Sequence, residues 1–317
     1  MDYVFCTRNL KNGKFGGEPG PSRFLAIPEN VNTVSPSQKI TKTDWVQAVI
    51  ANAKSGNVAG VDVGDIVIYV HGFNQSQRSM LERHRKIRKG LEKHGFKGVV
   101  ISFDWPSQDS ALNYLEDRTD AKMTAFKLVE DGIKSFAALQ RPDCRINLHV
   151  LAHSMGCYVV REAFDDADDR PAVAARSWSV SQLIMMSGDI SASSMTQGNS
   201  KSSSLYRHCV RMTNYYNPYD DVLTLSNVKR VGVSPRVGRI GLPSHMPEKA
   251  VNVCCGPYYK KNRGNFEGVV SNAAHTWYFF DDKLMQDVHY TIQGAIDRND
   301  IPTRVPTDRG YLALDPR

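Results

Sequence analysis

Residues 146–164 read INLHVLAHSMGCYVVREAF. Ile146–Leu151 has the apolar run of a buried strand, and Met155–Phe164 the apolar spacing of a helix. Between them lies Ala152-His153-Ser154-Met155-Gly156, a strand-to-helix turn with a serine at its apex. So sharp a turn needs small residues two places before and two after the serine, because strand and helix pass closely there. The hydroxyl is pushed up from the sheet end and set at a helix N-terminus, where the local field favours negative charge. An isolated [GA]-x-S-x-G is a weak sign; the buried strand before it and the helix directly after it give it weight. Ser154 is therefore the candidate nucleophile.

Outward from that turn, strands and helices alternate. Asp65–Val70 (DIVIYV), Val99–Phe103, Gln182–Met186, Cys209–Tyr215 and Ala250–Cys254 read as strands, the last of these as the final one. Gln77–Lys93, a long stretch from Ala111 to Leu139 with Leu115, Phe126, Val129, Ile133 and Phe136 on one side, and Lys283–Ile296 read as helices. This pattern predicts an α/β fold: a mostly parallel central sheet with helices on both faces, and functional groups at the carboxyl ends of the strands. Residues 1–60 read as short extended pieces (Tyr3–Thr7, Arg23–Ile27) and a helix from Asp44 to Ala53, and are expected as an N-terminal extension packed on a 61–317 domain. Ser191–Ser204, rich in small polar residues, reads as a mobile surface loop.

A serine hydroxyl needs a base, and the base an orienting acid. With the serine on such an elbow, the chain order is Ser, then Asp or Glu, then His. That order removes His71, His84, His94, His149 and His153 as the base and leaves His208, His245, His275 and His289. His275 follows the last predicted strand and precedes the closing helix, where a loop can drop an imidazole onto Ser154; His245, between Pro243 and Pro247, is the next choice. For the acid, the loop after Cys209–Tyr215 carries Asp220 and Asp221, with Asp220 preferred and Asp189 a third candidate. Two backbone N–H groups should face the developing oxyanion: Met155, and Phe73 in the His71-Gly72-Phe73-Asn74 loop after the Asp65–Val70 strand. His71, Gly72, His153 and Trp105 are expected to shape the substrate side of the site.

The segments VIYVHGFNQS (67–76), FDWPS (103–107) with Tyr-Leu-Glu-Asp-Arg at 114–118, LHVLAHSMG (148–156), NPYDDVLTLSN (217–227) and GRIGLP (238–243) resemble a bacterial α/β-hydrolase family of unknown function, esterase/lipase-like. The resemblance runs from about residue 65 to 296. It implies the α/β-hydrolase fold, puts Ser154, Asp220 and His275 on the triad positions and Phe73 and Met155 on the oxyanion positions, and makes Trp105-Pro106-Ser107 a family signature. The expected reaction is hydrolysis of a small-molecule carboxylic ester with a short acyl chain, through an acyl-enzyme; the other readings are a ligand-binding protein on this fold, or a thioesterase or acyltransferase.

Composition excludes other classes. At 317 residues, with 41% hydrophobic and 23% charged residues, the chain has the usage of a globular protein, not of a disordered or coiled-coil one. Its formal charge of +7 is mild, and no nucleic-acid partner is expected. Six cysteines without a CxxC pair, no signal peptide and no apolar run long enough for a membrane span predict a cytoplasmic protein. His149 and His153 are spaced i, i+4, but on a strand that separation is about 13 Å, so neither metal nor cofactor is expected. The basic run Arg83–Lys93 reads as a solvated helix face.

Overall fold

The computed structural model describes residues 1–107, 114–137, 140–141, 144–171, 178–224, 234–308 and 310–317. The chain begins with β1 (Asp2–Lys11), β2 (Lys14–Ile27) and β3 (Lys39–Ile40), followed by α1 (Lys42–Ala53), β4 (Lys54–Val58) and β5 (Val61–Val70). Next come α2 (Gln77–Lys93), β6 (Val99–Asp104), α3 (Tyr114–Lys127), a π-helical turn at Leu128–Ile133 and α4 (Lys134–Ala137). The centre comprises β7 (Gln140–Arg141), β8 (Cys144–His153), α5 (Met155–Asp168), β9 (Val180–Met186), α6 (Ser200–Arg207) and β10 (Cys209–Tyr216). The rest is α7 (Val237–Ile240), β11 (Ala250–Cys254), α8 (Gly256–Asn262), α9 (Ala273–Thr276), α10 (Asp282–Gln293), β12 (Arg304–Pro306) and β13 (Leu312–Leu314).

Among the described residues one sheet gathers the strands in the order β12-β13-β11-β10-β9-β8-β5-β6-β1-β2-β3, with β4 and β7 off this path. From β1 to β13 through β6, β5, β8, β9, β10 and β11 every pairing is parallel; the outer pairings, β1–β2, β2–β3 and β12–β13, are antiparallel. The apolar run of β5 shows why the sheet is covered on both sides. Ile66, Ile68 and Val70 enter a core layer with Trp45 and Val49 of α1, Ala121 and Ala125 of α3, and Val160 and Phe164 of α5. Val67 and Tyr69, on the opposite pleat, enter a second layer with Leu81 and Ile87 of α2 and Leu284 and Val288 of α10. The chain leaves β5 for β6 on one side and returns to β8 on the other, so the loops after β5 and β8 diverge at the carboxyl edge of the sheet, the usual place for a site in such folds.

The structure differs from the sequence reading at three places. Residues 1–60, expected to pack on the core, contribute β1, β2 and β3 to the sheet itself, and β4 pairs with β5 across the expected boundary. Asp2 to Thr7 are buried, and Phe5 lies opposite Phe103 in the parallel β1–β6 ladder. Ser191–Ser204 is not an open loop: it holds a 3-10 turn at Ala192–Met195 and the start of α6. Ser194, Ser202 and Ser204 are buried, with Ser202 Oγ donating to the Ser194 carbonyl, while Ser193 and Ser200 face solvent. A hairpin, β12–β13, follows the strand read as the last and adds to the β11 edge. It is stapled by Arg304, whose guanidinium lies 2.7 Å from Asp287 with both side chains fully buried. In the expected 111–139 helix, residues 111–113 and 138–139 lie outside the described residues; the remainder is helical with the π turn inside it. Of the basic run on α2, Arg85 pairs with Asp2 at 2.7 Å and Arg88 with Glu29 at 2.9 Å, tying that face to the N-terminal segment. Among the described residues no helix is long and apolar enough to cross a membrane.

Candidate active site

At the end of β8 the backbone of Ser154 takes φ 56°, ψ −124°, a conformation that costs a non-glycine residue about 1–3 kcal/mol and persists only when its surroundings impose it. Here they do. The Ser154 N–H donates to the Met186 carbonyl at the end of β9, and the Ser154 carbonyl accepts from Asp189 and Cys157. A Cβ on Gly156 would lie 2.4 Å from the Val70 carbonyl oxygen, and one on Gly72 would lie 2.8 Å from Ser154 Cβ. The elbow thus needs glycine at 156 so that α5 can pass the end of β5, and glycine at 72 so that the next loop can reach the serine. Met155 opens α5, so its N–H belongs to the first turn, whose donors lack intrahelical acceptors.

The loop after β10 meets the segment before α10, and His153, the residue before Ser154, bonds the latter. Asp220 is fully buried. Its Oδ2 lies 2.7 Å from His275 Nδ1 and accepts a 2.7 Å hydrogen bond from Ser187 Oγ, while Oδ1 accepts from the Leu223 N–H. With Nδ1–H donating to the carboxylate, the neutral imidazole keeps its lone pair on Nε2. Asn217 Nδ2 donates to the Ala274 carbonyl at 2.9 Å, joining the acid's loop to the histidine's. The His275 carbonyl accepts from His153 Nε2 at 2.8 Å, and the two rings stand 4.7 Å apart. His153 thus holds the backbone of His275 from the residue next to Ser154.

Of the alternative acids, Asp221 is exposed and lies 3.2 Å from Arg239; Asp189 is buried 3.1 Å from Arg236. His245 is exposed and hydrogen-bonded to Ser244. Asp220 therefore pairs with His275, whereas the Asp189 carboxylate is taken by Arg236 although its backbone N–H bonds the Ser154 carbonyl, and Asp221 and His245 face solvent. His71, His153 and Trp105, expected on the substrate side, are all buried. Trp105 stacks on His71 with centroids 5.3 Å apart and donates its Nε1–H to the His71 carbonyl. They brace the loop that carries Gly72 and Phe73. His149 bonds Asp65 at 3.0 Å, well down β8 from His153, and among the described residues no group of His, Cys, Asp or Glu could hold a metal ion. Arg8, Asp104, Ser187 and Asn217 escaped the sequence reading.

Burial, and then the nearby charge of His275, push the His153 pKa well below the ordinary imidazole value. Below about pH 6.5 the unfolded chain takes up a proton that folded His153 refuses. Its contribution is therefore complete above that pH and is lost as pH falls from there toward the folded value, by up to about 1.4 kcal/mol per pH unit. Urea unfolding at a series of pH values from 7.5 downward is expected to show this loss, and His153→Gln a shallower one. Some slope should remain, because burial pushes His84 and His289 the same way. An unchanged slope in the variant would contradict the assignment.

Comparison with known proteins gives matches of several kinds. An uncharacterized protein of Nostoc sp. is 24% identical over 216 residues, the match covering 53% of this chain and 55% of that one; the chain spans about half the length of that curated relative. A cutinase-like protein from Cryptococcus sp. superposes with a TM-score of 0.39 at 14% identity, covering 75% of this chain and 96% of that one. A dienelactone hydrolase from Anabaena variabilis gives 0.37 at 16%, covering 75% and 88%. Structural likenesses this slight say nothing about substrate. The family model described as "alpha/beta hydrolase of unknown function (DUF900)" matches residues 51–252, a span that contains the elbow, the loop after β5 and the acid's loop, and on that match the chain belongs to this α/β-hydrolase family.

Proposed function

We propose that the protein is a serine hydrolase of small carboxylic esters, with Ser154 as nucleophile, His275 as general base and acid, and Asp220 as the orienting carboxylate. The observation that carries this reading is the 2.7 Å contact of His275 Nδ1 with buried Asp220, the His275 backbone being held by His153, the residue before a serine set in a strained strand-to-helix turn. In the first half-reaction His275 Nε2 takes the hydroxyl proton as Ser154 Oγ bonds to the ester carbonyl carbon. The carbonyl oxygen becomes an oxyanion facing the Phe73 and Met155 N–H groups, each such donor being worth about 10²–10³ in rate. Collapse breaks the ester C–O bond, and the alcohol leaves with the proton from His275. Water then gives a proton to the same Nε2 and attacks the acyl carbon, and a second collapse returns the proton to Ser154 and frees the acid. Asp220 holds the imidazole in the Nδ1–H tautomer throughout. The steps use only side chains and backbone of this chain.

A short acyl group suits the site, because Ser191–Ser204 folds down with Ser194, Ser202 and Ser204 buried instead of forming a broad apolar lid. With p-nitrophenyl acetate, butyrate and octanoate, kcat/KM is expected to be highest for acetate or butyrate. A steady rise toward octanoate would remove the short-chain preference. Absence of turnover on all three, together with no labelling by a fluorophosphonate, would leave a ligand-binding protein on a hydrolase fold.

A further inference from the structure

β1 runs parallel to β6, and their register ends at Cys6 opposite Asp104. The next residues of β1 therefore emerge at the same carboxyl edge of the sheet as Ser154. The β1–β2 register shifts on both sides of Arg8, an irregularity of the kind that re-aims a side chain beside a site. Arg8 is buried, and its three guanidinium nitrogens take three different acceptors. Nε donates to Asp104 Oδ1 at 2.9 Å, Nη1 to the Ser107 carbonyl at 3.2 Å, and Nη2 to the Gln75 carbonyl at 3.2 Å. One planar fork thus fastens the loop after β5 to the loop after β6.

The neighbours complete the brace. Gln77 Nε2 donates to the other Asp104 oxygen at 2.6 Å, and His71 Nε2 stands 3.3 Å from Oδ1. The Gln75 N–H donates to Ser107 Oγ, and Trp105 Nε1 to the His71 carbonyl. These ties bracket Gly72, Phe73 and Asn74, the short span that approaches Ser154. Burial works to raise the Asp104 pKa, but Arg8 and then His71 outweigh it and hold the carboxyl well below the usual carboxylate range. Arg8 therefore keeps an ionised partner at any working pH. A buried ion pair is a poor source of net stability compared with apolar packing, so its value here lies in position.

We propose that Arg8 is a positioning residue that fixes the Phe73 N–H at the oxyanion, reaching the site from a strand outside the family match at residues 51–252. The proposal rests on the reading of Ser154 as nucleophile and Phe73 as oxyanion donor. A donor misplaced by about 1 Å costs about 10²-fold in rate.

The test uses full-length wild type, Arg8→Lys, Arg8→Gln and Arg8→Ala, with fluorophosphonate labelling rates, p-nitrophenyl acetate kinetics and thermal melts. Arg8→Gln is expected to lower kcat and the labelling rate together by about 10- to 100-fold, with KM within about twofold. Arg8→Lys, which keeps the charge but loses the fork, should fall between. Guanidinium ion, far below denaturing concentration, should raise the rate of Arg8→Ala and leave wild type unchanged. If Arg8→Gln and Arg8→Ala do not fold, Arg8→Lys carries the test: kcat reduced at constant KM supports the brace, and wild-type kcat overturns it. With wild type labelled on Ser154, wild-type kcat in Arg8→Gln, or a loss that tracks melting temperature without guanidinium rescue, would overturn the brace alone. An unlabelled wild type would overturn the hydrolase reading and the brace with it.

Discussion

Ser154→Ala is expected to lower kcat for ester hydrolysis by about 10⁶-fold, to the residual rate that binding and the oxyanion donors sustain without a nucleophile. KM should change little, because the ester is held by groups other than Oγ. The fold should survive: Ser154 is tied through its backbone N–H and carbonyl to Met186, Asp189 and Cys157, and alanine carries the same Cβ into the same positive φ. Thermal melts beside steady-state kinetics on p-nitrophenyl acetate check both halves. A variant that melts with wild type and retains more than a small fraction of its kcat would show that Ser154 is not the attacking group.

Asp220→Asn is expected to lower kcat by about 10⁴-fold. The carboxylate accepts from His275, Ser187 and the Leu223 N–H, whereas an amide offers one oxygen and an NH₂ group. If that NH₂ group faces His275 it donates to Nδ1, forces the proton onto Nε2 and leaves the imidazole without a lone pair toward Ser154. Asp221→Asn is the matched control, since that side chain points to solvent beside Arg239, and its kcat should stay within about twofold, as for surface substitutions in general. Equal losses at the two positions would show that the loop, and not the Asp220 carboxylate, is what matters.

How much of this was legible in the sequence follows the range of the forces involved. The elbow was readable because its constraint is local: Gly156 must clear Val70 and His71, and that requirement sits two residues from Ser154. Chain order narrowed the candidate base to His208, His245, His275 and His289, and the position of His275 between the last predicted strand and the closing helix made it the preferred one. The choice of Asp220 over Asp221 was not, because both share one loop and their orientations depend on distant partners, His275 and Arg239. The N-terminal strands were misjudged because β1 pairs with β6, nearly a hundred residues on, and β2 contains Gly16, Gly17, Pro19, Gly20 and Pro21, residues that read as turns. Serines in 191–204 looked solvent-facing, yet Ser202 buries completely by donating its hydroxyl to a carbonyl. Arg8 carries no local signal; only the parallel β1–β6 register brings it to the site.

The most direct measurement is a crystal structure of the protein after reaction with an alkyl fluorophosphonate, which loses fluoride as phosphorus bonds to the attacking oxygen. Phosphorus is expected on Ser154 Oγ, with its oxygen within hydrogen-bond range of the Phe73 and Met155 N–H groups and His275 Nε2 facing the Ser154 oxygen. Phosphorus on another residue, or an adduct oxygen turned away from both donors, would contradict the proposed mechanism.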